Sequence, residues 1–109
     1  MRRGDTVTVA MTGDYGKPRP AVIVQTDAFP ENHGSVILCQ ITSALAIESD
    51  FRVVIEPTAA NGLRLRSQIM VDKTMAVQRH RIGRRIGALD ATDMDRLNIA
   101  LLFVMGLSE

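Results

Sequence analysis

A mainly β fold, a small barrel or strongly bent sheet finished by one C-terminal helix, is predicted by three features of the sequence. Short apolar runs rich in β-branched residues fill the first half, in places alternating with polar positions. Gly, Pro and Asn punctuate them at close intervals, as in a sheet of many short strands. Beyond residue 90 the apolar period changes from that of a strand to that of a helix. With 109 residues the chain is expected to form one domain, spanning 1–109, with one modest core.

Residues 6–11 alternate polar and apolar side chains and predict a half-buried strand. Residues 12–17 hold two glycines among polar side chains and read as a loop. Pro18 and Pro20 cannot donate to a ladder, so they mark a strand entrance and not a strand centre, with the second strand over 21–26. A turn-rich stretch leads to a third strand over 36–41. Residues 51–55 form a fourth, ended by Glu56-Pro57, and Asn61-Gly62 marks a turn. Residues 63–71 and 75–77 are weaker strand candidates, and 86–89 is a last edge strand.

Asp90 is placed to cap a helix, with Asp93 and Asp95 favourable in its first turns. Met94, Leu97, Leu101 and Val104 recur on one face. Ile99, Ala100, Leu102, Phe103 and Met105 make the last two turns apolar all round, where a surface helix is polar on its outer side. For a chain this small, that end is expected to pack against a second chain.

The net charge of +1 excludes a uniformly basic polyanion binder, but its distribution is uneven. Between Arg64 and Arg85 stand seven basic residues opposed only by Asp72, a segment of +6 against −5 for the rest. Eleven of the thirteen basic residues are Arg, whose fork matches phosphate oxygens bidentately. The lone Cys39 sits in an apolar run and reads as a small buried hydrophobe. With only His33 and His80 as imidazoles, no metal or cofactor is expected. The start of the chain lacks a signal peptide's apolar run, and the longest apolar stretch is far short of a membrane span, so a cytoplasmic protein is expected.

Four segments then stand in order. Arg3-Gly4-Asp5 precedes the first strand, and Lys17-Pro18-Arg19-Pro20-Ala21-Val22-Ile23-Val24 follows the Gly-bearing loop. Ile41-Thr42-Ser43 closes the third strand, and Ser67-Gln68-Ile69 with Val71-Asp72-Lys73 comes later. Taken together, over nearly the whole chain, they make it resemble the MazF/PemK (Kid) toxins of type II toxin–antitoxin systems. The resemblance implies an SH3-like small barrel of the CcdB/MazF toxin type and a homodimer. It also implies a sequence-selective, metal-independent endoribonuclease that cuts single-stranded mRNA and so inhibits translation and growth. Attack by the 2′-OH would leave a 2′,3′-cyclic phosphate and a 5′-OH. A cognate antitoxin would cover the RNA groove, and through it the toxin would act as co-repressor of its own operon.

By motif match the resemblance places catalysis on Arg19 and Thr42. A guanidinium suits the phosphorane charge better than it suits proton donation, because its pKa exceeds about 12. Thr42 and Ser43 offer hydroxyl and backbone donors for phosphate anchoring. Several relatives carry a carboxylate just before the later Gln; here Ser67 precedes Gln68, and a serine without a base cannot replace it. His80, between Arg79 and Arg81, is the candidate base, since neighbouring cations favour its neutral form. Tyr15 is placed to stack on a base, Lys17 and Arg79 to meet phosphates, and Gln68 to read a base edge. Two other readings predict different outcomes: a non-catalytic toxin that binds a protein such as gyrase, and a plain nucleic-acid-binding barrel. The resemblance weakens the first, since the gyrase-poisoning relatives use an aromatic near the C-terminus, whereas here the last residues are Met105-Gly106-Leu107-Ser108-Glu109 and the sequence has no Trp.

Overall fold

Apolar side chains on both sides of several strands set the architecture, because a strand with two buried faces needs a sheet that curls over itself. The computed structural model describes residues 1–11, 17–45 and 51–108. Its strands are β1 (Asp5–Ala10), β2 (Pro18–Ile23), β3 (Ser35–Thr42), β4 (Arg52–Ile55), β5 (Ser67–Met70), β6 (Met75–Gln78) and β7 (Ile82–Ala88). Helix α1 (Ala91–Val104) follows. All pairings are antiparallel, in the order β4-β5-β3-β2-β1-β7, with β6 also on β3. This is the mainly β class with a terminal helix.

The sheet curls without closing into a hydrogen-bonded barrel, since β4 and β7 end the order. The segment before β5 covers the seam. Ala88 N donates to Ala60 O at 2.9 Å, and the Thr6 hydroxyl donates to Asn61 O at 2.7 Å. Asn61 is buried and organises this segment with its amide. Its Oδ1 accepts from Thr58 N and Leu63 N, both at 3.0 Å, and its Nδ2 donates to Glu56 O at 2.9 Å. Gly62 then turns at φ +70°, where a Cβ would overlap the Ile86 carbonyl oxygen, so only glycine lets the segment lie this close to β7.

Side chains on the two faces of the sheet fill two apolar clusters. Val22, Cys39, Ile41, Val53, Ile55, Ile69 and Val71 pack with Leu97 and Ala100 of α1. Val7, Val9, Ala21, Ile23, Val36, Leu38 and Val77 pack on the other side. Cys39 is a buried free cysteine, as expected, and burial pushes its thiol pKa up against a smaller opposing effect of the Thr74 hydrogen bond. Asp90 caps α1, its carboxylate accepting from Asp93 N at 2.8 Å. Leu97 is fully buried, whereas Ile99 is 67% and Phe103 46% exposed, so the apolar end of the helix has one face on the core and the other outward.

Strand limits differ from the sequence expectation in several places, and β5 takes up only Ser67–Met70 of the expected 63–71. Pro18 and Pro20 lie inside β2, opposite Ala10 and Thr8. They are tolerated because β3 pairs only with Ala21, Val22 and Ile23, so a missing N–H there breaks no bond to β3. The strand stops at Ile23 rather than 26, because Val24 N and Gln25 N both turn to Ile37 O at 3.1 Å. Strand β7 starts at Ile82 rather than 86; two irregularities opposite β1 erase the period-2 pattern that would have revealed it.

Candidate functional site

Where the proline half of β2 loses β3 as a neighbour, the two strands splay. β3 instead continues into its pairing with β5 through Ile41 and Thr42. A groove of about 690 Å³ opens at this point. Pro18, Arg19 and Pro20 line one side, Gln40 to Ala44 and Ser67 another, and Gly62 to Leu65 with Arg84 and Ile86 the third. Thr8 also lines it.

Four of the side chains singled out in the sequence meet here: Arg19, Thr42, Ser43 and Ser67. The Thr42 hydroxyl accepts from Ala44 N at 3.1 Å, which leaves its own proton available as a donor. Ser67 donates to Leu65 O at 2.8 Å, so its hydroxyl is occupied as a donor and retains only acceptor capacity. Gln68 lies behind the groove, buried between Thr42 of β3 and Val54 of β4, and not on the lining surface. Lys17 is exposed next to Pro18. Tyr15 lies outside the described residues.

Arg79 and His80 are not brought to the groove. They sit in a 3-10 turn, Arg79–Arg81, between β6 and β7. Arg79 donates from Nε to His33 O at 2.7 Å and lines a separate hollow with Phe29 and Glu31. His80 is exposed on that turn. The described groove lining therefore holds guanidiniums, hydroxyls and an amide, without a carboxylate or imidazole. Among the described residues no group of His, Cys, Asp and Glu is placed to hold a metal ion.

The basic segment divides into neutralised and unneutralised members. Arg66 pairs with Glu56 at 3.0 Å and Arg85 with Asp5 at 3.1 Å. Elsewhere Arg2, Arg52 and Arg96 hold Asp27, Asp72 and Asp93. Arg64 and Arg84, both on the groove, make no ion pair among the described residues. Sequence places them in the +6 segment but does not single them out for the site. The doublet Arg84-Arg85 carries no signal of which member is neutralised; that depends on the irregular pairing of β7.

A curled antiparallel sheet that carries a groove lined by three guanidiniums and several hydroxyls defines a small β protein with a cationic groove. Comparison with known proteins narrows the class: the chain belongs to the family of PemK-like, MazF-like toxins of type II toxin–antitoxin systems, whose model matches residues 2–105. It is 42% identical over 109 residues to a probable endoribonuclease MazF of Mycolicibacterium smegmatis, covering 99% of each chain. The Mycobacterium tuberculosis toxin MazF-mt6 shares the fold, with a TM-score of 0.81 at 23% identity over 96% of this chain and 99% of that one. So does a Deinococcus radiodurans MazF crystallised with MazE, at TM-score 0.80 and 22% identity, over 99% and 97% of the two chains.

Proposed function

We propose that this protein is the endoribonuclease toxin of a toxin–antitoxin pair, acting on single-stranded mRNA in the cytoplasm as one domain over residues 1–109. The observation that carries the reading is the groove itself. The open end of the sheet gathers three guanidiniums, Arg19, Arg64 and Arg84, among hydroxyl groups. Membership of the toxin family and 42% identity to a probable endoribonuclease support the same conclusion. Among the described residues no helix is long and apolar enough to cross a membrane.

In this reading the phosphate to be cut lies between Arg19 and Thr42. The 2′-oxygen bonds to phosphorus, the bond to the 5′-oxygen breaks, the 2′-OH proton leaves to solvent and the 5′-oxygen takes one up. Arg19 donates to the non-bridging oxygens as their charge grows, and the Thr42 hydroxyl and Ser43 anchor the same phosphate. Such charge stabilisation is worth on the order of 10²–10³ in rate for a single donor. Two copies pair through the exposed apolar end of α1, and an acidic antitoxin segment covers the cationic groove.

The test is cleavage of single-stranded RNA by purified protein in EDTA, with the termini of the products identified. Arg19→Ala is expected to lose about 10²-fold or more in kcat while its circular dichroism is kept. Unchanged cutting by that variant refutes the site.

A further inference from the structure

Strand β7 meets β1 with two irregularities, and both bear on the groove. Val7 lies opposite Arg85 and Thr6 opposite Gly87, so Ile86 is an extra residue; between Val7 and Val9, β7 again carries more residues than β1. Extra residues of this kind re-aim side chains, often beside functional sites. The adjacent arginines part here, as successive side chains of a strand do: Arg85 reaches back to Asp5, while Arg84 lines the groove, its backbone N–H donating to the Thr8 hydroxyl at 3.1 Å. The second cation on this side of the groove, Arg64, follows Gly62, which packs closely against the Ile86 carbonyl. Both side chains are exposed and neither holds a carboxylate among the described residues. With no carboxylate paired to either among the described residues, two cations lining one groove repel each other, so an anion between them is favoured.

From this geometry we infer that Arg64 and Arg84 form a second anion subsite, which takes a backbone phosphate of the RNA neighbouring the one held at Arg19 and Thr42. The inference rests on the endoribonuclease reading. The wall sets how tightly and in what register the strand lies; Arg19 and Thr42 act on the phosphate that is cut.

The experiment measures binding of a short mixed-sequence single-stranded DNA oligomer, whose missing 2′-OH prevents cleavage, across a range of salt concentrations. Removing one phosphate-binding cation from a single-strand site lowers the slope of log K against log salt by about 0.7. Arg64→Ala with Arg84→Ala is expected to lower it by about twice that, to weaken binding at least about tenfold, and to raise KM for RNA cutting far more than it lowers kcat. Arg84→Lys restores most of the slope, because the charge returns without the fork. Arg66→Ala and Arg85→Ala, which remove cations already paired, move the slope much less. A wild-type slope in the double variant, or equal effects from the paired arginines, overturns the subsite. Wild-type protein that binds the oligomer but cuts no RNA overturns the endoribonuclease reading instead, so the two failures are distinct.

Discussion

Replacing Asn61 with Ala tests whether one buried amide holds the seam of the sheet and, through it, a wall of the groove. The side chain makes three hydrogen bonds, to Thr58 N, Leu63 N and Glu56 O, at 3.0, 3.0 and 2.9 Å. Each is worth about 0.5–1.5 kcal/mol net, and Glu56 and Thr58 are exposed enough for water to replace part of the loss. The expected destabilisation is therefore about 2 kcal/mol, which for a chain of this size lowers Tm by roughly 8–16 °C. Thr58→Ala, which removes only the acceptor for Asn61 N at 3.0 Å, costs about 1 kcal/mol and sets the scale. The assay is urea unfolding followed by circular dichroism, with the midpoint shifted and the slope unchanged. Because Arg64 follows this segment directly, RNA affinity should fall in Asn61→Ala even where the protein is fully folded. A loss below about 1 kcal/mol with unchanged affinity refutes the reasoning, because water would then serve the segment as well as the amide does.

Two further outcomes follow from the surfaces of the molecule. Ile99→Glu with Phe103→Glu places charge on the exposed apolar end of α1 and is expected to convert a dimer to a folded monomer in sedimentation; a wild-type monomer refutes the pairing. His80→Ala is expected to cut RNA at close to the wild-type rate, since the imidazole lies off the groove; loss of cutting with the fold intact would restore it as the base.

Much of the fold could be read from local pattern. Period-2 alternation located β1, the apolar runs located β3 and β4, and Asp90 with the spacing of Met94, Leu97 and Leu101 located α1. These succeed because the side chains face a core with the regularity of their own element. The boundaries that failed lie where the partner strand, not the strand's own residues, decides. Pro18 and Pro20 are strand residues only because β3 has turned away, and β7 hides its period behind irregular pairing with β1.

The site divides along the same line. Sequence alone determined that basic charge is concentrated in residues 64–85, that Arg19 stands between two prolines, and that Thr42 and Ser43 end a strand. Residue type and chain order suffice for such statements. Tertiary structure decided which of those charges count. It neutralised Arg66 and Arg85 with Glu56 and Asp5, left Arg64 and Arg84 on the groove, and set Arg79 and His80 on a turn elsewhere. The cause is electrostatic and long-range: an arginine's availability depends on whether a carboxylate distant in sequence is folded against it, as Asp5 is against Arg85, and a segment's own residues carry no record of that.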